Sequence, residues 1–313
     1  MDTSRKKSTI LLTGSKGFLG KVLFKKLVEN KDYKIKCVDL PEYNLTKLDD
    51  CLKVTKGSDI VINLAGLVLS RVEQLERPAE VIFNNILVNL QILEAARLNK
   101  VRKVILISSI TAYPAQSSPP FKEEDLWEGS MVEDSEAYGA AKRVLVLSAK
   151  AYKTQYGMDI VCLLFPNLYG PEDKFNYNPP PLIPNTILQI YKAKRDNKKF
   201  IIAGNNSQQR LDFLYVEDAV EAILLALKRK NLPELINVGT GRGIKIKDVF
   251  KIIAMEISFK GIIKWDKTVR YFPARYLDIF KMKRFLKFEP KYTIESGLQK
   301  TVKWFLKTYE KES

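Results

Sequence analysis

The chain predicts a doubly wound parallel α/β sheet followed by a smaller C-terminal α/β lobe. Three observations carry this. Strand-like and helix-like segments alternate from Thr9 to Phe165, a glycine-spaced turn joins the first strand to the first helix, and the regularity changes at Pro166.

The elements follow in order. Residues 9–12 form a short apolar run that ends in the glycine segment. Residues 21–29 space Val22, Leu23, Leu27 and Val28 as one face of a helix does. Residues 34–40 and 59–65 read as the next two strands, 79–98 as a long helix, 104–107 as a strand, 137–156 as a helix and 159–165 as a strand. Such alternation implies parallel pairing. Beyond Pro166, the run Pro179-Pro180-Pro181 and Pro184 interrupt regular structure. Shorter segments follow: strands at 200–203 and 235–239, and helices at 216–228, 246–257 and 294–307.

Composition narrows the classes of function. A 313-residue chain with 46% hydrophobic residues can bury a sizeable core. Met1 to Ser8 is polar and the following apolar run is too short for a signal segment. No window approaches the apolar length of a membrane span. The cysteines Cys37, Cys51 and Cys162 show neither disulfide nor zinc spacing, so no metal site is expected and cytoplasm is the default location. Cys37 and Cys162 lie in apolar runs and read as buried and inert. The formal charge of +16 is spread along the chain without a long basic tract, which predicts a Lys-rich solvated surface rather than a nucleic-acid site. There is no histidine, so acid–base work falls to Tyr, Lys, Asp, Glu, Cys or hydroxyls.

Gly14-x-x-Gly17-x-x-Gly20 follows a strand and opens a helix. Glycines there permit a tight turn and close backbone approach, and the helix amino end favours the negative charge of a dinucleotide pyrophosphate. Asp39 ends the second strand about 20 residues further on, where a carboxylate accepts the ribose hydroxyls. It would repel a 2′-phosphate, which favours NAD over NADP. Lys16, inside the turn, argues the other way unless it is simply an exposed loop residue. The fold that carries such a turn is a Rossmann sheet, predicted over residues 1–170. Residues 171–313 then form mainly a substrate lobe, with part of 203–239 returning to the first domain.

Tyr138 and Lys142 stand four residues apart on a predicted helix, hence on one face. An ammonium beside a phenol lowers its pKa and prepares it to move a proton. Tyr138 would then exchange a proton with a hydroxyl or ketone oxygen while hydride moves at the same carbon, and Ser109 would share the hydrogen bond to that oxygen.

With these residues the chain resembles the extended short-chain dehydrogenase/reductases that act on nucleotide sugars, over nearly its whole length. The matching segments are Thr13–Gly20, Asn63-Leu64-Ala65-Gly66, Asn85 with Leu93-Glu94-Ala95-Ala96, Ser108-Ser109, the Tyr138/Lys142 pair, Pro166-Asn167-Leu168-Tyr169-Gly170-Pro171, 210–218, 237–241, and Gly297-Leu298 with 301–305. Within that group, 167–175 and Ile183-Pro184 are most similar to GDP-fucose synthase. The resemblance implies a cofactor set of Gly14, Gly17, Phe18, Leu19, Gly20, Asp39, Leu40, Leu64, Ala65, Gly66, Asn85, Tyr138, Lys142 and Pro166. It implies a nucleotide-sugar substrate and a homodimer or higher homo-oligomer through the helices at 79–98 and 137–156. Arg210 would neutralise the substrate diphosphate. Arg275 would do the same or be a surface arginine. Asn167 would bind sugar or diphosphate, or serve a turn. Thr111 would touch the sugar, or be a polar loop residue.

The departures matter as much. The positions of the synthase's epimerisation cysteine and histidine fall on Thr111 and Pro181, neither of which exchanges a proton with carbon. The Asp-Glu pair of related dehydratases falls on Ile110 and Thr111. What remains is Ser109, Tyr138 and Lys142 with a cofactor, a set sufficient for redox at one carbon. The expectation is an NAD-dependent 4-dehydrogenase of a GDP-mannose- or GDP-heptose-like sugar, with a 4-keto reductase next, serving surface polysaccharide synthesis. A 4-epimerase with bound NAD is the alternative. A non-catalytic dinucleotide- or RNA-binding relative would have lost Tyr138 or Lys142.

Overall fold

The computed structural model describes residues 7–204, 206–266, 268 and 273–309. The elements are β1 (Ser8–Thr13), α1 (Phe18–Val28), β2 (Tyr33–Val38), α2 (Leu48–Thr55), β3 (Ile60–Asn63), α3 (Arg71–Glu76), α4 (Pro78–Leu98), β4 (Lys103–Ser109), α5 (Glu136–Tyr156), β5 (Asp159–Phe165) and β6 (Asn167–Tyr169). They continue with α6 (Leu182–Arg195), β7 (Phe200–Ala203), β8 (Arg210–Leu211), β9 (Phe213–Tyr215), α7 (Val216–Lys228), β10 (Leu235–Asn237), β11 (Ile244–Lys245), α8 (Ile246–Ile257), β12 (Ile262–Trp265) and α9 (Ile294–Tyr309).

Six strands form one parallel sheet in the order β10-β5-β4-β3-β1-β2. Its central strands are apolar on both faces, as a sheet covered on both sides requires. Leu11, Val104, Leu106 and Cys162 point into one buried cluster with residues of α2, α4 and α5. Their neighbours Ile10, Leu12, Ile105, Val161 and Leu163 point into a second cluster with α1 and α7. The chain runs outward from β1 to β2 and then returns to β3 on the other side of β1. That reversal opens a crevice beyond the carboxyl ends of β1 and β3, the place where such sheets bind ligands.

A third cluster, centred on Tyr169, Phe213, Phe250 and Phe305, joins β6 and β9 to α6, α8 and α9. Short two-stranded sheets brace it: β6 with β9, β7 with β12, and β8 with β11. No helix among the described residues is long and apolar enough to cross a membrane.

Two expectations need correction. Cys162 is buried, but Cys37 is exposed. β2 is the edge strand, so its outer positions lack the covering helix that a central strand has, and an apolar run there does not ensure burial. The prolines at 179–181 lie in an irregular stretch as expected, but Pro184 does not interrupt regular structure: α6 starts directly after the run, with Pro184 in its first turn. A helix's first turn has no intrahelical use for that N–H, so proline is tolerated there.

Candidate active site

The cradle is built where β1 turns into α1. Gly14 has φ +68°, and a Cβ on it would lie 2.9 Å from the Leu64 carbonyl carbon. A Cβ on Gly20 would lie 2.0 Å from the Gly14 carbonyl oxygen. α1 begins after Gly17 with no side-chain cap and no acidic residue in its first turn. Its free N–H groups and positive end therefore face the crevice unneutralised, the chemistry a pyrophosphate needs. These residues fit a dinucleotide. Phe18 packs close to Gly170, 3.6 Å from where that residue's Cβ would be. Leu40 lies exposed past the end of β2.

Asp39 differs from expectation. Ser15 Oγ donates to its Oδ2, and the Lys16 N–H lies 3.3 Å from its Oδ1. Both carboxylate oxygens are turned to the glycine loop, beside an exposed Lys16.

The facing wall is residues 64–67. Thr13 Oγ1 donates to Asn63 Oδ1 at 2.5 Å, and Asn63 Nδ2 donates to Asn89 Oδ1 at 2.9 Å. Asn89 Nδ2 donates in turn to the Asn85 carbonyl at 2.6 Å. Asn85 Nδ2 donates to the Leu67 and Val81 carbonyls, and its Oδ1 accepts from the Leu67 N–H. Asn85 Nδ2 is thus engaged by Leu67 at the end of the wall and by Val81 in its own helix, and its Oδ1 holds the Leu67 N–H, so the side chain fixes the wall at Leu67. Asn89 was not singled out in the sequence. Its signal was its place four residues after Asn85, on the same buried face of α4.

Ser109 ends β4, and Tyr138 and Lys142 lie on α5. Lys142 Nζ donates to the Ile107 carbonyl at 2.9 Å, and Ser108 Oγ donates to the Lys142 carbonyl at 3.3 Å. These bonds stitch α5 to β4. Lys142 Nζ lies 5.4 Å from the centre of the Tyr138 ring, so the ammonium faces the ring. Burial lowers Lys142 from 10.5 to about 8 and raises Tyr138 to about 12. Desolvation is the cause in both cases, and the acidified phenol expected from the neighbouring lysine does not emerge in the protein alone. At that value Tyr138 carries its proton at neutral pH. The Thr111 N–H donates to Ser109 Oγ at 3.3 Å, and Thr111 Oγ1 is buried without a partner among the described residues.

Asn167 and Arg210 are exposed. Asn167 Nδ2 donates to the Asp212 carbonyl at 2.9 Å, and Arg210 Nη1 to the Gly243 carbonyl at 3.0 Å. Arg275 is neither a surface arginine nor open to a phosphate: its Nη1 and Nη2 donate to the carbonyls of Pro114, Ile110 and Tyr113. A cavity of about 590 Å³ lined by Phe213, Thr240, Arg242, Leu277 and Tyr292 contains none of the expected site residues. Among the described residues, no group of three or more His, Cys, Asp or Glu stands together as a metal site.

A doubly wound sheet with a glycine cradle at its switch point, and Ser, Tyr and Lys at the adjoining strand end and helix, defines an extended short-chain dehydrogenase/reductase, an enzyme that works with a nicotinamide dinucleotide. The chain belongs to the NAD dependent epimerase/dehydratase family, whose profile matches residues 10–239. A GDP-L-fucose synthase of Sinorhizobium fredii (strain NBRC 101917 / NGR234) is 29% identical over 95% of each chain. A putative UDP-glucose 4-epimerase of Methanocaldococcus jannaschii is 30% identical over 94% of this chain and 97% of its own. The fold matches a GDP-mannoheptose C4 reductase of Campylobacter jejuni, solved with NADP bound, at a TM-score of 0.88, with 21% identity over 96% of this chain and 99% of that one.

Proposed function

We propose that the protein reduces the 4-ketone of a GDP-linked 4-keto hexose or heptose with NADPH, in the cytoplasm. One observation carries the reading: a buried Lys142 and a neutral Tyr138 flank the strand end that bears Ser109, while the two further acid–base positions hold Thr111 and Pro181. A set that donates one proton beside one hydride reduces a ketone without epimerising the neighbouring carbon. The nicotinamide cofactor supplies the hydride when bound. Gly14, Gly17, Gly20 and the amino end of α1 hold its pyrophosphate. Ser109 Oγ and Tyr138 Oη orient the ketone oxygen, and Tyr138 gives it the proton. Lys142 then faces the phenolate formed and stabilises it. Thr111 lines the sugar side of the site, its Oγ1 buried without a partner among the described residues. The direction differs from the dehydrogenase expected first, and the likeness to the C. jejuni GDP-mannoheptose C4 reductase supports it.

NADP is placed ahead of NAD. The NAD expectation rested on Asp39, whose oxygens are engaged by the glycine loop, and the C. jejuni reductase supports the phosphorylated form. Residues 171–313, less part of 203–239, serve as the substrate lobe, with Arg210 and Asn167 toward the diphosphate. α4 and α5 form a homodimer face that buries Phe83, Leu98 and Leu147, which are exposed in the single chain. Light scattering tests the dimer.

The function is tested by incubating the purified protein with GDP-4-keto-6-deoxymannose and NADPH or NADH and identifying the product. Reduction at carbon 4 without inversion at carbons 3 and 5 is expected. The M. jannaschii relative supports a second reading, a 4-epimerase using the same residues. A sugar inverted at carbon 4 without net consumption of NADPH would replace the first reading by the second.

A further inference from the structure

The segment that follows Ser109 is gripped from two sides. Residues Ile110–Ala112 make a single 3-10 turn, and such a turn leaves carbonyl oxygens that no helix or strand takes up. Arg143, the residue after Lys142 on α5, donates from Nε and Nη2 to the Ala112 carbonyl at 3.1 and 3.0 Å, and from Nη1 to the Gly129 carbonyl at 3.1 Å. Arg275 comes from the opposite side. Its Nη2 donates to the carbonyls of Ile110 at 2.9 Å and Tyr113 at 3.3 Å, and its Nη1 to that of Pro114 at 3.2 Å. Its guanidinium lies 5.0 Å from the centre of the Phe121 ring. The remaining carbonyl of the turn, Thr111, presses on α5 so closely that a Cβ on Gly139 would lie 2.5 Å from it.

Both guanidinium groups are desolvated, and desolvation lowers the pKa of each, Arg275 to about 10. No ion pair with a carboxylate accompanies either among the described residues. A buried cation without a counter-ion is costly. Here the compensation is a set of carbonyl contacts that only a planar fork can make together. The same Arg275 joins its backbone to the expected diphosphate segment, its N–H donating to the Arg210 carbonyl at 2.8 Å.

We propose that Arg143 and Arg275 are positioning residues that clamp residues 110–114, so that Ser109 and Thr111 keep their places opposite Tyr138 during turnover. Neither arginine touches the reacting atoms. They act through the turn that Ser109 opens, whose first internal bond is the Thr111 N–H to Ser109 Oγ. The inference rests on the catalytic roles proposed for Ser109 and Tyr138.

The test uses the full chain carrying Arg143→Met or Arg275→Met, each beside its Arg→Lys counterpart, and reads two quantities. Amide hydrogen exchange at Thr111 and Tyr113 is expected to quicken about tenfold or more in the Met variants while the amides of β1 and α1 hold. With GDP-4-keto-6-deoxymannose as probe, kcat is expected to fall about tenfold to a hundredfold with the KM for NADPH unchanged, as a small misplacement of a reacting group predicts. Guanidinium ion added to the Met variants restores part of that kcat, and the Lys variants fall in between. If a Met variant fails to fold, its Lys counterpart carries both readings. Unchanged exchange at 111 and 113, or a lower melting temperature with wild-type kcat in the folded fraction, overturns the clamp. If the unsubstituted protein does not reduce the probe, the functional reading fails instead, and the exchange measurement alone decides the clamp.

Discussion

Lys142 holds its Nζ 5.4 Å from the centre of the Tyr138 ring while donating to the Ile107 carbonyl at 2.9 Å. The lysine is therefore fixed by the strand that ends in Ser109, and the tyrosine is set beside it by one turn of α5. With no histidine in the chain, this is the pair proposed to carry the proton chemistry. Tyr138→Phe removes the donor and leaves the ring, so the fold and NADPH binding should persist. Ketone reduction should fall by about 10²–10⁴-fold, the usual worth of a positioned acid. Turnover within a few-fold of the native rate would remove Tyr138 from its role.

The pH dependence follows from the lysine. Burial lowers Lys142 from 10.5 to about 8. Its ammonium is lost as pH rises through about 8, so kcat should decline on the alkaline side. Stability moves oppositely. A lowered lysine pKa means that the folded state binds this proton less well than the unfolded chain. The penalty is complete below about 8 and disappears as pH climbs toward 10.5. The difference in melting temperature between the native chain and Lys142→Met should therefore shift in favour of the native chain over that window, while its kcat falls. Two curves falling together would contradict the assignment.

The cradle yields a sharper contrast. A Cβ on Gly20 would lie 2.0 Å from a backbone oxygen that cannot turn aside, whereas nothing lies within 4 Å of one on Gly204. Gly20→Ala should cost about 1–3 kcal/mol by overpacking. It should also abolish the rise in melting temperature that NADPH gives the native protein. Gly204→Ala should change neither. Calorimetry with and without NADPH distinguishes the two.

These residues also mark where reading the chain succeeds. The glycine turn, Ser109 and the Tyr138/Lys142 pair are legible because each sits within one element, where spacing alone fixes the shared face. The sheet is legible because buried parallel strands are continuous apolar runs bounded by helical spacing. Arg275 was not, since its partners are carbonyls more than 160 residues earlier in the chain and no side-chain pattern announces a carbonyl. Cys37 misled because its run is apolar but its strand is an edge, and strand order is a tertiary fact. The raised pKa of Tyr138 has the same origin: adjacency to lysine is written in the sequence, and the desolvation around the phenol is not.

The asparagine chain behind the cradle should be felt in stability before activity. Asn89 is 3% exposed, and its Oδ1 is the acceptor for Asn63 Nδ2. Asn89→Ala leaves that buried amide without a partner, at a cost of about 1–3 kcal/mol. For a 313-residue chain the melting temperature should drop by roughly 1–2 °C per kcal/mol. An unchanged melting temperature would mean that Asn63 finds another acceptor.

Cofactor choice turns on two neighbouring side chains of opposite sign. Lys16 is exposed within the glycine loop, and its N–H, together with Ser15 Oγ, holds the Asp39 carboxylate. A 2′-phosphate arriving at the end of β2 meets an ammonium free to turn toward it and a carboxylate already turned to the loop. On that geometry Lys16→Ala should raise the KM for NADPH about tenfold, the worth of one charge-assisted contact, and leave that for NADH nearly unchanged. Asp39→Asn should keep the Lys16 N–H contact through its amide oxygen and turn the Ser15 contact round, its Nδ2 donating to Ser15 Oγ, while removing the repulsion, so NADPH should bind more tightly in that variant. Steady-state kinetics with both cofactors reads each ratio. A native enzyme that prefers NADH, unmoved by Lys16→Ala and weakened by Asp39→Asn, would mean that the carboxylate swings from the loop to the ribose on binding, and NAD would be the working cofactor.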